Sequence, residues 1–390
     1  MPDRLPFDHL DERLARAAWS RLTEPDDRAA NRLVATLGAG PALDWLLEAA
    51  RGLFRAVPTE PPRGGWRTAA ARWTPRLTDL DPRRELEVIA RRGGYLILPG
   101  SPAWPVGLDQ LGESAPLCLW AIGARNPATL TASSVALVGS RASTAYGERV
   151  TTDLATGMAE RSITVVSGGA YGIDAAAHRA TLGVYGPALA VMAGGLDRYY
   201  PNGNSQLLAQ VAATGAVLAE VPPGTAPMRT RFLSRNRLIA ALARATVVVE
   251  AAWRSGALST AARAAELHRP VGAVPGPVTS AASAGCHRLL RESRATCVTD
   301  AAEVAELVQP VGTALPEEPT VAAGLLDDLD LEQARVLDAL PARGEAVFGA
   351  VVRSAGLDEA SVRAALGFLE LAGRVTREGS AWRRARVPRG

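Results

Sequence analysis

No lysine occurs in this 390-residue chain; its 43 basic residues are all arginine. A GC-rich genome is the plain explanation for that choice, but arginine still presents a planar fork suited to phosphate. The absence also argues against triphosphate hydrolysis by the P-loop route, which needs a lysine after its glycine loop. Cysteine and histidine are scarce. Cys118, Cys286 and Cys297 have no metal-ligand spacing, and His9, His178, His268 and His287 are scattered, so zinc centres and histidine-based triads have little raw material. An odd, sparse set of thiols fits a reducing cytoplasm, the expected location. No apolar run approaches about 18 residues, so no membrane span is expected. The N-terminus lacks a basic start followed by an apolar block, and no secretory signal is expected. Paired carboxylates, a metal cluster and a nucleophile–base pair are all missing, and no cofactor is expected.

The composition, 47% hydrophobic and 21% charged, is that of an ordinary globular protein. The length suggests two or three domains of roughly 150 residues each. Net charge is only +3, but it is unevenly spread. Residues 225–245 hold Arg229, Arg231, Arg235, Arg237 and Arg244 and no acid, a local +5; residues 374–390 hold six arginines against Glu378, again +5. Two basic blocks in a nearly neutral chain point to a polyanionic partner.

Residues 1–80 place apolar side chains at helical spacing. The Gly38-Ala39-Gly40-Pro41 break reads as a tight turn in a small helical bundle, or as a helix-hairpin-helix whose turn offers N–H groups to a phosphate. Residues 58–75, rich in Pro, Gly and Arg, read as a linker. So do residues 309–324. Residues 325–390 predict three short helices and a terminal hairpin, a winged-helix pattern, with Asp358 as the N-cap of the third helix.

Between these flanks the pattern becomes regular. Short apolar runs at 135–138, 163–166, 188–192, 216–219, 246–249 and 271–274 alternate with helical segments at 148–161, 174–182, 205–213, 236–243 and 261–268. Short strands near 95–98 and 117–121 approach the sheet. The fold class predicted is α/β: an extended Rossmann-like parallel sheet over residues 81–308, with helices on both faces. In such sheets ligands bind at the C-terminal ends of the strands.

Three stretches fall at that edge. Gly139-Ser140-Arg141 offers a tight turn, a hydroxyl and a guanidinium, a set suited to one phosphate. Ser167-Gly168-Gly169-Ala170-Tyr171-Gly172-Ile173-Asp174 is a glycine-rich loop at a helix start, able to form an anion nest. It is not the G-x-G-x-x-G of dinucleotide binding; Asp174 reads as a cap and His178 as helix-face structure. Residues 228–239 bring Arg229, Arg231 and Phe232 on a loop, then Arg235-Asn236-Arg237 opening a helix. Arginine for phosphate beside an aromatic for base stacking is the pattern of single-strand binding. Ser and Thr in Ser255-Gly256 and Ser259-Thr260 read as capping groups.

In order, VALVGSR, VVSGGAYGIDAAAHRATL, AVMAGGLDRYYPNGNSQL, GAVLAEVPPGTAP, RFLSRNRLIAAL, VVVEAAWRSGALSTAARAAELHRPVGAVPGP and GCHRLL resemble the DNA-processing protein DprA (Smf) family over roughly residues 95–300. The flanks fit it too, as a sterile-alpha-motif-like helical domain over residues 1–80 and a winged helix over residues 325–390. The resemblance implies a homodimer that binds single-stranded DNA, is not an enzyme, and helps load the RecA recombinase in natural transformation and recombination. It carries a phosphate-binding role onto Arg141, basic and aromatic contacts onto Arg229 and Phe232, and DNA-binding turns onto Gly139, Ser140, Ser167, Gly168, Gly169, Arg235, Asn236 and Arg237. The chain departs from the family in FLSRNR, where F-P-x-R-N-R is usual, and in GCHRLL. The alternative is a nucleoside monophosphate phosphoribohydrolase-like Rossmann enzyme, whose P-G-G-x-G-T-x-x-E motif is not completed here.

Overall fold

The computed structural model describes residues 4–309, 329–342 and 344–385. They gather into two compact units, one before and one after the undescribed stretch. Most of the expected linker 309–324, and the end of the second basic block, lie outside the described residues.

The first unit opens with five helices: α1 (Glu12–Leu22), α2 (Arg28–Leu37), α3 (Ala39–Ala50), α4 (Gly65–Trp73) and α5 (Pro82–Arg91). Asp11, Asp27 and Asp81 cap α1, α2 and α5 by accepting from backbone N–H groups in the first turn. The stretch expected as a linker is in part α4. Trp73 explains the difference: its ring is buried edge-on against Trp19, with centroids 5.4 Å apart, and its indole donates to Asp27 at 2.8 Å. The Gly-Ala-Gly-Pro turn is built into the helical layer, since Ala39 and Gly40 are buried and Trp19 donates to the Ala39 carbonyl at 3.0 Å.

The nine-stranded sheet contains β1 (Gly94–Ile97), β2 (Leu119–Gly123), β3 (Ser134–Gly139), β4 (Thr164–Ser167), β5 (Ala188–Met192), β6 (Ala216–Ala219), β7 (Ala245–Glu250), β8 (Val271–Ala273) and β9 (Thr296–Cys297). Its order is β1-β2-β6-β5-β4-β3-β7-β8-β9. The seven strands from β6 to β9 are parallel, as the repeated strand–helix alternation requires; β2 joins β6 and β1 joins β2 antiparallel. The connecting helices are α6 (Pro127–Ala132), α7 (Ala145–Glu160), α8 (Ile173–Gly183), α9 (Ser205–Thr214), α10 (Arg229–Leu242), α11 (Ala257–Glu266), α12 (Ala284–Arg291) and α13 (Ala301–Val308).

The central strands are apolar throughout because both faces are covered. Val135 and Leu137 pack with Leu154, Met158 and Val304 on one face; Ala136 and Val138 pack with Leu238, Ile239 and Leu258 on the other. Each buried Val or Leu stabilises the layer by about 1.5–3 kcal/mol. The N-terminal helices adjoin β2, where Trp120 donates to Ser20 at 3.3 Å and Arg16 to the Leu117 carbonyl at 2.9 Å.

The segment around Arg229, Arg231 and Phe232 is not a loop but the head of α10, seven residues ahead of the expected start. The Asn236 amide crosses to α11 and donates to the Ser259 hydroxyl at 2.8 Å. Met228 takes the extended cap position, with φ −133° and ψ 155° and no side-chain cap bond.

The second unit contains α14 (Leu331–Ala339), β10 (Ala346–Val347), α15 (Phe348–Ala355), α16 (Glu359–Leu371), β11 (Val375–Glu378) and β12 (Ala381–Arg384), with an antiparallel sheet ordered β10-β12-β11. Val336, Leu337, Val351, Leu366, Leu369 and Trp382 form its core. Asp358 caps α16, accepting from the Ala360 and Ser361 N–H groups.

Candidate nucleic-acid interface

Strand order reverses between β3 and β7: from β3 the chain winds outward to β4, β5 and β6, and from β7 it winds the other way to β8 and β9. Crossovers leave such a switch point on opposite faces, so a crevice opens at the strand ends. Here the crevice is a cavity of about 750 Å³ whose lining includes Gly139, Arg141, Arg229, Phe232, Asn236 and Arg254.

Its floor is stitched together. Ser140 N–H donates to the Glu250 carbonyl at 2.7 Å, and Ile173 N–H donates to the Ser140 carbonyl at 3.1 Å. The buried Glu250 carboxylate accepts from the Thr144 N–H at 2.9 Å and its hydroxyl at 2.7 Å, and Thr144 caps α7. The two glycine turns touch at Gly172, where φ is +74° and a β-carbon would collide with the Ser140 and Arg141 carbonyls.

The arginines of this edge fall into two groups. Arg141, Arg229 and Arg254 are exposed, and among the described residues none gives their guanidinium a hydrogen bond or an ion pair. Arg141 only lies over the Phe232 ring, 4.6 Å from its centroid, and Phe232 leans on Tyr200 with centroids 5.9 Å apart. Tyr200 is 46% exposed and also borders a second cavity of about 680 Å³ beside Arg198 and Asn202, so the groove continues past it.

The other arginines serve the protein. Arg235 is buried beneath the groove and donates to the Gly168 carbonyl at 2.9 Å and to the Val191 carbonyl. It passes so close to Gly168 that any β-carbon there would strike its guanidinium. Burial brings Arg235 down to about 10, with Asp174 opposing the shift and Arg141 adding to it. Burial raises Asp174 despite the nearby Arg235 charge; its carboxylate accepts from the Gly168 and Ala170 N–H groups at 3.2 and 3.4 Å. His178, buried one turn along, falls to about 4 through burial and Arg235, and neither ring nitrogen has a partner.

Arg237 grips Glu220 with two bonds, at 2.8 and 2.6 Å, and donates to the Ser114 carbonyl at 2.9 Å. Arg231 grips Glu24 in the same way. Ser167 is fully buried, and its hydroxyl ties β4 to β3 through the Leu137 carbonyl at 2.7 Å.

The structure thus brings Gly139, Arg141, Arg229 and Phe232 around one groove, while the Ser140 hydroxyl is bonded to the Ala142 backbone, donating to its carbonyl at 3.0 Å. Arg235 and Asn236 border it, Ser167, Gly168 and Gly169 are not part of its lining, and Arg237 is turned to internal partners. Two further groups stand at the groove: Arg254, in a turn whose sequence reads as capping rather than ligand contact, and Tyr200, which no sequence signal marks. Arg254 could have been found from its place just beyond β7, with no acid from Ala251 to Ala265 to neutralise it. Among the described residues no group of three His, Cys, Asp or Glu could hold a metal ion, and no helix is long and apolar enough to cross a membrane.

Residues 95–309 match the family model described as DNA recombination-mediator protein A. A Mycobacterium tuberculosis protein bearing the name DNA processing protein DprA is 44% identical over 386 residues, covering 96% of this chain and 95% of that one. The X-ray structure of DprA from Streptococcus pneumoniae aligns with TM-score 0.58 at 29% identity, over 75% of this chain and 96% of that one. A Helicobacter pylori DNA processing protein A, described for its single-stranded DNA binding mode, aligns with TM-score 0.48 at 28% identity, over 52% of this chain and 91% of that one.

Proposed function

We propose that this chain, which belongs to the DNA recombination-mediator protein A family, binds single-stranded DNA along the switch-point groove. The observation that carries the reading is the sorting of the arginines. Among the described residues that line the 750 Å³ cavity, Arg141, Arg229 and Arg254 have guanidiniums with no hydrogen bond or ion pair, around the Phe232–Tyr200 pair, whereas Arg235 is held by backbone carbonyls. Free cations seat phosphates and aromatic faces stack bases whatever their sequence. A mononucleotide would not need three cations spread over three turns.

In this reading Arg141, Arg229 and Arg254 hold phosphates, the Gly139–Ser140 turn lets the backbone approach, and Phe232 takes a base. Arg235 and Asn236 border the groove, and Arg237 keeps α10 in place. The groove binds rather than transforms. Its carboxylates, Asp174 and Glu250, are committed to backbone N–H groups and to Thr144, so we read the protein as non-catalytic.

We further propose that it acts in the cytoplasm as a homodimer that helps load RecA recombinase on incoming or damaged DNA. Residues 1–80 are read as a helical domain, 81–308 as the DNA-binding domain, 309–324 as a linker and 325–390 as a winged helix. Size-exclusion mass with and without a short oligo-dT tests dimer and ligand together. A monomer mass would overturn the dimer, and no co-elution at low salt would overturn the DNA reading.

A further inference from the structure

The loop between α1 and α2 reaches the head of α10. Glu24 accepts from Arg231 Nε at 2.8 Å and Nη2 at 2.9 Å, and also from Arg76 at 2.5 Å; the remaining Arg231 nitrogen donates to the Ala226 carbonyl at 2.6 Å. Burial pushes the Glu24 carboxyl up, but the bonds from Arg231 and Arg76 outweigh it and hold it below its ordinary value. Asp26 stands 4.0 Å from Arg237.

The loop that presents these acids is itself fixed. Thr23 donates to the Trp19 carbonyl at 2.8 Å, and Asp27 both caps α2 and accepts from Trp73. Asp26 has φ +69°, a left-handed conformation disfavoured for a residue with a β-carbon.

The head of α10 needs such support. It has no side-chain cap and no acid in its first turn, while Arg229 and Arg231 stand there. Cations are misplaced at this end, where the peptide dipoles already point positive. Left to local forces the turn would fray, and it carries Arg229 and Phe232.

We propose that the α1–α2 loop is a clamp that sets the head of α10, with Glu24 as the positioning residue for Arg229 and Phe232. The role of those two side chains in DNA binding rests on the function proposed above; the clamp does not. Glu24 occupies two arms of Arg231, so Arg231 is withheld from phosphate although it lies between Arg229 and Phe232 in the chain. The helical layer thereby acts on the groove without touching its ligand.

The test is hydrogen exchange on the full-length Glu24→Gln variant, with oligo-dT affinity measured in parallel. Amides of residues 232–235, the first with helical hydrogen bonds, should exchange about fivefold faster, the scale of one partly exposed ion pair, with those of α7 and α8 unchanged. Affinity should fall by a similar factor. Adding Met228→Asp supplies a local cap and should restore protection, which it could not do if Glu24 served only the folding of its own layer. Unchanged exchange in Glu24→Gln, or no rescue by Met228→Asp, overturns the clamp. Faster exchange with unaltered affinity upholds the clamp and removes α10 from the DNA path.

Discussion

Arg141 and Arg237 are the same residue type at the same sheet edge, and the structure gives them opposite fates on substitution. Arg141 makes no internal hydrogen bond or ion pair among the described residues and is exposed. Arg141→Ala should therefore alter stability by no more than about 0.5 kcal/mol. If the guanidinium neutralises one phosphate, the slope of log affinity against log salt should shallow by about 0.7. Three such contacts together predict a loss of about 18-fold between 50 and 200 mM salt, and removing one reduces that to about sevenfold. Arg237 is 2% exposed, and its loss would strand Glu220. Removing one partner of a buried pair costs about 3–5 kcal/mol, or roughly 10 °C in a unit of this size. The salt slope of the remaining folded Arg237→Ala protein should not change. Fluorescence anisotropy of labelled oligo-dT at four salt concentrations, with thermal melts of each variant, reads both quantities. A stable Arg237→Ala protein with a shallower slope, or an Arg141→Ala protein that melts early with its slope intact, would refute the sorting of the arginines.

Phe232→Ala should weaken oligo-dT binding by about tenfold, the scale of one stacked base; Phe232→Trp should retain binding, and equal affinities for the two variants in the same assay would remove the stacking role. His178 sets an acid limit: its folded pKa of about 4 lies below the ordinary 6.5, so its contribution is present above pH 6.5 and is lost as pH falls toward 4. That loss is about 3 kcal/mol. His178→Leu, which removes two unpartnered ring nitrogens, should flatten the melting temperature across that window, and an unchanged acid limb in the variant would place the limit elsewhere.

The parallel layer was legible because its strands are buried on both faces, so runs such as Val135–Leu137 stand out without any knowledge of their neighbours. Three things were not legible, each for a non-local reason. The stretch at 65–73 looks like a linker until Trp19 is brought to Trp73. The head of α10 has no capping side chain to announce it, and its Arg231 is bonded to the distant Glu24. The site was half visible. The first glycine turn and the basic block do meet at one cavity, but nothing local distinguishes Arg229 from Arg231. Glu24 decides that, and it is more than two hundred residues away.

The three unpaired guanidiniums stand on three separate crossovers: the turn after β3, the head of α10 and the turn before α11. A ligand long enough to touch all three ties together segments remote in the chain, and it cannot stay bound when any one of them peels away. Occupancy then becomes a thermodynamic brace for the whole parallel layer, worth about 2.7 kcal/mol at a hundredfold excess over Kd. A dinucleotide, with too few phosphates for three guanidiniums, should leave the melting temperature nearly where it is, whereas a longer oligonucleotide at the same phosphate concentration should raise it. The length at which the rise sets in would measure the span of the groove in nucleotides.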